Sequence, residues 1–108
     1  MIIHWEDAPA KRKTPDHLVR QIECSSFYLV LHEYEPGWGD EEHRHPERQF
    51  GYVLEGSMSV FIEGTEVITQ GEGQSVFIRS MVEHRSAAPT TRTMALNLYM
   101  KDIAPLPS

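Results

Sequence analysis

The sequence is divided into short runs rich in Val, Ile, Phe and Tyr, which Gly, Pro and Asp interrupt at close and fairly regular intervals. No stretch repeats apolar residues every 3.6 positions for long enough to predict an amphipathic helix. Turns are predicted at EPGWGDE, EG (55–56), EGTE and QGEG, because glycine adopts backbone angles that strain other residues. Many short antiparallel strands joined by such turns are typical of a sandwich or a barrel, so the chain is predicted to be all-β.

Eight segments have the length and composition of strands. In chain order they are HLVRQIEC, SSFYLVLHEYE, EEHRH, QFGYVLEG, SMSVFIEG, EVITQ, QSVFIRS and TRTMALNLYMK. The start of the chain, MIIHWEDAPAKRKTPD, is predicted to form a short edge strand at its apolar beginning and then a solvated loop that contains KRK. The tail DIAPLPS cannot join a central strand, because proline lacks the donor that a β-ladder needs.

Length and charge limit the classes of protein that this chain can belong to. With 108 residues, positions 1–108 are predicted to form a single domain with one modest core. A formal charge of -6 disfavours nucleic acid and anionic membranes as partners. No apolar run approaches the ~20 residues of a membrane span, and no secretory signal opens the chain. The single cysteine, Cys24, gives no disulfide framework, so we expect a cytoplasmic protein.

Two histidines, His43 and His45, occupy alternate positions in EEHRH. Side chains at i and i+2 of an extended chain share a face, so both imidazoles can reach one ion. Gln49 and His84 are further candidate ligands, since three imidazoles and one oxygen leave positions on a metal ion that water or a substrate can fill. An H-x-H pair also occurs on solvated strands without a metal, so the tripeptide alone leaves both interpretations open.

Two motifs make the chain resemble the cupin superfamily of small β-barrels, over roughly residues 37–84. In GWGDEEHRHPERQFGYVLEG, four residues stand where the first cupin motif has its glycines and histidines, and Gln49 stands where the family usually has glutamate. The four are Gly37, His43, His45 and Gly56.

The second motif lies in GQSVFIRSMVEH, where Gly73 and His84 match the family and Arg79 and Met81 replace its usual proline and glycine. The resemblance implies a single-domain jelly-roll barrel that usually forms homodimers. It also implies a bound divalent transition metal ion, Zn, Ni, Mn or Fe. The implied ligands are His43, His45, Gln49 and His84.

Glutamine in place of glutamate changes the chemistry of that site. The amide oxygen of Gln49 can still coordinate a cation, but it is neutral, so the bound ion keeps more Lewis acidity and no carboxylate is present as a base. A water molecule in place of a displaced Gln49 is the alternative. Glu47 is a rival oxygen ligand, but it stands two residues from the matching position and is expected to point to solvent.

Alternation along two strands predicts what else faces the site. If Gln49 points into the barrel, Gly51 and Val53 do so too, and the glycine would leave space for a ligand, whereas Phe50 and Tyr52 face outwards. In ALNLYMK, one face of the strand is apolar. The other face, which carries Asn97, Tyr99 and Lys101, is predicted either to contact a substrate or to be a solvated surface.

Other polar residues are given weaker assignments. Arg79 and Arg85 flank the second motif, and either could bind a carboxylate through two hydrogen bonds, although exposed arginine is the commoner outcome. His4, His17 and His32 have no partner at metal-ligand spacing and are interpreted as ordinary strand or loop residues. The apolar start MIIHW and the outward Phe50 and Tyr52 predict a two-fold homodimer.

The combination of H-x-H, Gln49 and a closing Glu-His pair resembles the pectin-degradation cupins. That resemblance implies metal-assisted conversion of unsaturated uronates into ketonised sugars, with a late Asp-x-aromatic pair and an arginine in the pocket. Here Asn97 and Tyr99 stand at the pair and are the predicted catalytic residues, and Ile103 lies near the place of the arginine. The absence of that carboxylate and that arginine puts the proton-transferring group and the substrate in doubt.

Three functions therefore stay open. The first is a metal-assisted isomerase or tautomerase acting on a small hydroxylated carbonyl or carboxylate compound, with Tyr99 or a metal-bound water moving the proton. The second is an iron- or copper-dependent dioxygenase, which needs a similar ligand set. The third is a non-catalytic barrel that binds a small molecule such as a sugar.

Overall fold

A computed structural model describes residues 2–88 and 90–101 of the chain. The predicted C-terminal tail, residues 102–108, and with it Ile103, lies outside the described residues. Within them the chain contains one 3-10 helix, Trp5–Asp7, and ten strands. No helix in the described ranges is long and apolar enough to cross a membrane.

The strands form two antiparallel sheets. The first sheet has the spatial order β1 (Ala10–Thr14), β2 (His17–Glu23), β3 (Phe27–Tyr34), β10 (Thr93–Met100), β5 (Arg48–Glu55) and β8 (Ser75–Ile78). The second has the order β4 (Trp38–Gly39), β9 (His84–Ala88), β6 (Ser57–Ile62) and β7 (Glu66–Gly71). From β3 onwards the chain passes repeatedly from one sheet to the other, so most strands that pair are distant in sequence, and among the described strands of this part only β6 and β7 form a hairpin. The predicted all-β jelly-roll barrel is confirmed.

Alternating side chains on the central strands produce the core. On β5, Gln49, Gly51 and Val53 are buried, whereas Phe50 and Tyr52 are exposed, as the alternation predicted. The apolar cluster between the sheets contains Tyr34, Trp38, Val53, Met58, Val60, Val76, Ile78, Ala88 and Ala95. Apolar residues therefore fill part of the barrel, and polar side chains of the same strands line the remainder.

The turn from β5 to β6 requires a glycine. Gly56 has a φ angle of 88°, in the left-handed region that favours glycine. A Cβ at this position would lie 2.5 Å from the carbonyl oxygen of Arg92 and 2.6 Å from Oγ1 of Thr93. The turn from β5 to β6 therefore packs closely against the start of β10.

The prediction of a strand at EEHRH is wrong. Only His43 pairs, through an isolated bridge to His84, and the short strand β4 precedes it. The segment is fixed at two points instead: His43 and His84 exchange backbone hydrogen bonds of 2.9 and 2.8 Å, and the amide of Met81 donates to the carbonyl of His45 at 2.8 Å. Pro46 follows directly and has no backbone N–H to continue a ladder. Strand β9, which begins at His84, was not predicted.

The N-terminal prediction is also wrong in its placement. The edge strand is β1, which contains the KRK that was predicted to be a loop, and the apolar start precedes a 3-10 helix. All five residues of β1 are exposed. An edge strand pairs through its backbone alone and tolerates charged side chains on both faces, so composition did not reveal it.

Candidate metal centre

Three histidines from two parts of the chain converge at the opening of the barrel. His43 and His45 lie in the segment before β5, and His84 begins β9 in the opposite sheet. Their ring centroids are 4.4 Å (His43 to His84), 5.0 Å (His45 to His84) and 5.7 Å (His43 to His45) apart. One nitrogen from each ring lies within 4.8 Å of the others. We call these residues the three-His cluster.

Backbone carbonyls fix the tautomer of every ring in the cluster. Nδ1 of His43 donates to the carbonyl of Glu41 at 2.8 Å, Nδ1 of His45 to that of Glu47 at 2.8 Å, and Nδ1 of His84 to that of Val82 at 2.9 Å. A carbonyl oxygen only accepts, so each Nδ1 carries the hydrogen and each neutral ring keeps its lone pair on Nε2. This arrangement is the one that orients metal-binding histidines.

Gln49 extends the donor set. Its amide is buried, and Oε1 lies 3.1 Å from Nε2 of His45. Both atoms are acceptors when Nδ1 of His45 holds the ring hydrogen, and a cation beside both would make this contact favourable. Two ligand atoms about 2.1 Å from one ion lie roughly 3.0 to 3.4 Å apart at octahedral or tetrahedral angles. These residues therefore fit a first-row divalent ion.

The exposure of the three histidines decreases from the solvent side of the cluster to its interior side. His43 is exposed, His45 is half-buried and His84 is 1% exposed. Burial lowers the pKa of His84, which keeps that ring neutral and able to act as a ligand. The site is therefore rigid on its inner side and open on the side of His43.

Asp40 supports the cluster, although sequence analysis did not select it. Its Oδ1 accepts a hydrogen bond from the amide of Ser86 at 2.6 Å, and its Oδ2 lies 3.8 Å from Nδ1 of His43. Burial raises the pKa of this carboxyl group. Asp40 stands in an irregular segment where no periodic pattern predicts which way a side chain points, so the sequence carries no signal for it.

Tyr99 lies beside the predicted ligands. It is in register with Gln49 across β10 and β5, and its ring meets that of His45 edge-on, 5.8 Å between centroids. Burial raises the pKa of Tyr99 well above its usual value near 10. The hydroxyl therefore stays protonated and serves as a hydrogen-bond donor at neutral pH.

A second tyrosine adjoins the site from β3. The ring of Tyr28 stacks on Tyr99 at 4.9 Å. Its hydroxyl donates to Oε2 of Glu47 at 3.0 Å, so Glu47 does not simply point to solvent as predicted. Burial, followed by the effect of Glu47, raises the pKa of Tyr28 to about 12.

Asn97 fills the space that the glycine on β5 leaves. It is 7% exposed and in register with Gly51, where a Cβ would lie only 2.6 Å from Oδ1 of Asn97. The glycine was predicted to leave room for a ligand. The structure shows that Asn97 occupies this room and presents its amide to the interior, between the three-His cluster and the opposite end of the barrel.

The three cationic residues that were candidate substrate contacts, Lys101, Arg85 and Arg79, lie away from the site. Nζ of Lys101 donates to the carbonyl of Cys24 at 3.0 Å and lies 3.1 Å from Oε1 of Glu23. The guanidinium of Arg85 lies 3.8 Å from the ring centroid of Phe61, and Arg79 is exposed. None of these three residues lines the interior cavity of the barrel.

One cavity of about 180 Å³ extends from His43 and His84 of the three-His cluster to a second pair of histidines. Nε2 of His17 and Nδ1 of His32 are 2.8 Å apart, and both rings stack near Tyr34. Burial lowers the pKa of His17 to about 4 and that of His32 to about 3. These residues were predicted to lack partners, because sequence spacing gives no sign that β2 and β3 bring them together.

The sequence and the fold can now be compared with known proteins. Residues 30–100 match the cupin domain family. No curated protein matches the chain. Two similar solved structures are an RmlC-like cupin from Shewanella frigidimarina NCIMB 400 (19% identity, TM-score 0.83, 93% of this chain and 89% of that chain) and KdgF from Halomonas sp. (18%, 0.80, 91% and 92%).

A third similar structure is oxalate decarboxylase from Bacillus subtilis, at 19% identity and a TM-score of 0.82. The alignment covers 92% of this chain but only 29% of that one. These likenesses show a common fold. Because the family match spans well over half of the sequence, we conclude that the chain belongs to the cupin domain family.

Proposed function

We propose that this chain is a metal-dependent isomerase or tautomerase that acts on a small hydroxylated carbonyl or carboxylate compound. The observation that carries the proposal is the convergence of three imidazoles whose Nδ1 atoms are all held by backbone carbonyls. The Mn(II) centres described for Bacillus subtilis oxalate decarboxylase support a divalent ion on this fold. The sequence resemblance to pectin-degradation cupins makes unsaturated uronates the first compounds to test.

Four atoms would hold the ion: Nε2 of His43, His45 and His84, and Oε1 of Gln49. When bound, the ion supplies a Lewis acid that polarises a substrate oxygen, an effect of several kcal/mol. All four donors are neutral, so none of them offsets the charge of the cation. The polar inner wall and the narrow cavity would then exclude bulk water from the reacting group.

Two further side chains would act on the substrate directly. The protonated hydroxyl of Tyr99 would donate a hydrogen bond to the substrate oxygen beside the three-His cluster, where developing negative charge needs a donor. The amide of Asn97, two residues further in along β10, would fix the orientation of a neighbouring hydroxyl or carbonyl. Within the described residues, Asp40 alone brings a carboxylate oxygen within 4 Å of a ring nitrogen of the cluster, at 3.8 Å from Nδ1 of His43.

A dioxygenase is the second candidate function. The exposed side of His43 favours it, because a ligand set that is open on one side admits a small gas molecule together with a substrate. Metal identity distinguishes the two candidates, since redox-inactive zinc cannot activate O2. A non-catalytic sugar-binding barrel would share the cavity and would show binding without turnover.

The experiment is a substrate screen with protein purified without an affinity tag, whose metal content is measured first. We expect about one divalent ion per chain and conversion of an unsaturated uronate to its ketonised product. Tyr99→Phe should lower the rate at least tenfold while the metal content stays unchanged. Full activity of the chelator-treated protein, or equal rates for Tyr99→Phe and the unsubstituted chain, would contradict the proposal.

A further inference from the structure

Two buried polar atoms without partners belong to residues that line the same cavity. In the part of the chain that the structure describes, Nε2 of His32 and Oε1 of Gln70 are the only buried side-chain nitrogen or oxygen atoms that lack a hydrogen-bond partner. His32, on β3, is 6% exposed, and Gln70, on β7 of the opposite sheet, is 4% exposed. Both residues line the cavity.

Such atoms are rare in folded proteins, because a buried donor or acceptor without a partner destabilises the native state. Chance would scatter the exceptions over the molecule. Here one exception comes from each sheet and both border one interior space. Two such groups beside one interior space are candidate contacts for a ligand.

The position of His32 places this pair away from the three-His cluster. His32 is in register with Ala95, and Ala95 with Val53, which lies four residues beyond Gln49 on β5. Four residues of a strand span about 13 Å. The cavity therefore runs along the strands, from the three-His cluster to an inner end bounded by His32 and Gln70.

Hydrogen-bonding chemistry selects the group that fits this inner end. Nδ1 of His32 shares one hydrogen with Nε2 of His17, so Nε2 of His32 is a donor in one tautomer and an acceptor in the other. Oε1 of Gln70 accepts only. When Nε2 of His32 is the donor, one hydroxyl group satisfies both atoms, since it accepts from His32 and donates to Gln70; in the other tautomer two hydroxyl groups do so, one donating to each atom. A carboxylate cannot donate to Oε1 of Gln70 in either case.

Charge also favours a neutral group. Burial keeps His17 and His32 uncharged by lowering the pKa of each, and the charge of Lys13 lowers both further. Lys13, the one lysine or arginine among the residues that line the cavity, is exposed, so water and salt screen its attraction for an anion. The ring of His32 is held in place by stacking on Tyr34, 5.2 Å between centroids. A preorganised, uncharged wall of this kind suits hydroxyl groups.

We propose that the inner end of the cavity, bounded by His32 and Gln70, is a subsite for the hydroxyl groups of a small polyhydroxylated ligand. The ligand's carbonyl or carboxylate end would then point to the three-His cluster; this second part rests on the function proposed above. The hydroxyl subsite itself needs no metal. At about 180 Å³, the cavity has room for roughly six water molecules, so the ligand is a single small unit.

The test uses the full chain after treatment with a chelator, so that its outcome does not depend on a metal. D-galactose, which has hydroxyl groups and no carboxylate, and adipate, which has carboxylates and no hydroxyl groups, are titrated by ligand-detected NMR. We expect galactose to bind and adipate to bind at least tenfold more weakly. Gln70→Met and His32→Phe, which preserve side-chain size, should each weaken galactose binding about tenfold.

Two exposed positions provide matched controls. Gln21→Met and His4→Phe make the same chemical changes outside the cavity and should leave galactose binding unchanged. In the unsubstituted chain, the 15N resonance of Nε2 of His32 should shift when galactose is added. This readout decides the question even if His32→Phe fails to fold.

Several results would overturn the proposal. These are the absence of galactose binding at tens of millimolar, equal binding by Gln70→Met and the unsubstituted chain, adipate binding as tight as that of galactose, or an unmoved His32 resonance. Failure of the proposed function would look different: the protein would contain no metal and show no turnover while the galactose results stand.

Discussion

Histidine has two roles in this cavity. The hydrogen-bond partner of one ring nitrogen decides which role each histidine has. In the three-His cluster, backbone carbonyls accept from Nδ1 and leave Nε2 available to a cation. In the inner pair, His17 and His32 bond to each other and remain neutral. The same side chain is thus a candidate metal ligand at one end and a neutral hydrogen-bonding group at the other.

The inner pair should make stability depend on pH. Burial lowers the pKa of His17 to about 4 and that of His32 to about 3, from 6.5. Between pH 6.5 and about 4 the unfolded chain therefore binds protons that the folded chain does not, and the free energy of unfolding falls as the pH falls. From pH 7 to 4.5, urea unfolding of His32→Phe should show a decline that is smaller by about 2 to 3 kcal/mol.

The control for this measurement is His4→Phe, which removes an exposed histidine. Its free energy of unfolding should decline with pH as much as that of the unsubstituted chain. If His32→Phe declines equally, His32 is protonated in the native state and the assignment of a neutral pair is wrong.

Gln49 permits a test of the donor set. Gln49→Glu should bind a divalent ion more tightly, because it adds an anionic oxygen, and should turn over a carbonyl substrate more slowly, because the added charge weakens polarisation. Metal titration and a rate assay on both proteins measure the two effects. Equal affinity together with an equal rate would show that Gln49 is not a ligand.

At the scale of elements, the candidate site is assembled from a loop and from strands of both sheets. The loop before β5 carries His43 and His45, β9 carries His84, β5 carries Gln49 and β10 carries Tyr99. Motif spacing predicted the ligand candidates and strand alternation predicted the wall of the cavity, and both are local patterns of the sequence. The structure brings these residues together, whereas their roles in binding and catalysis stay predictions.

What sequence analysis missed depends on contacts between distant segments. The pairing of His17 with His32 follows from the register of β2 and β3, and Asp40 meets Ser86 across 46 residues. The predicted strand at 41–45 failed for a related reason, because its alternating pattern had no neighbouring strand to pair with along its length. Local alternation predicts the face of a side chain but not its partner.

The turn between β5 and β6 gives a prediction for folding stability. Gly56→Ala should destabilise the protein by about 1 to 3 kcal/mol from backbone strain alone, and further because its Cβ would overlap the backbone of Arg92 and the side chain of Thr93. Gly64→Ala is the matched control, since Gly64 also has a positive φ angle but has nothing within 4 Å of the added Cβ. Equal losses in chemical denaturation would show that the overlap has no effect.

At the scale of the whole molecule, β5 and β8 of the first sheet carry an apolar outer face. Phe50 and Phe77 face each other across β5 and β8 and are 43% and 48% exposed, and Tyr52 and Leu54 lie beside them. Such a face is typical of an interface, so we predict a homodimer. Light scattering should give twice the chain mass of 12.4 kDa.

The homodimer prediction has its own control. Phe50→Glu should shift the protein to the mass of a single chain, because a charge at the centre of an apolar interface disfavours association. Val67→Glu, on the other sheet and 56% exposed, should leave the mass unchanged. A mass near 12.4 kDa for the unsubstituted chain at micromolar concentration would contradict the prediction.

The central claim is that the three-His cluster binds a metal ion in the folded protein, and thermal unfolding with and without a chelator tests it most directly. With free ion near 100 times its Kd, chelation should lower the Tm of the unsubstituted chain by about 10 °C or more. His45→Ala should show no chelator effect, whereas the exposed control His4→Ala should keep the full effect. Equal chelator responses in His45→Ala and the unsubstituted chain would contradict the claim.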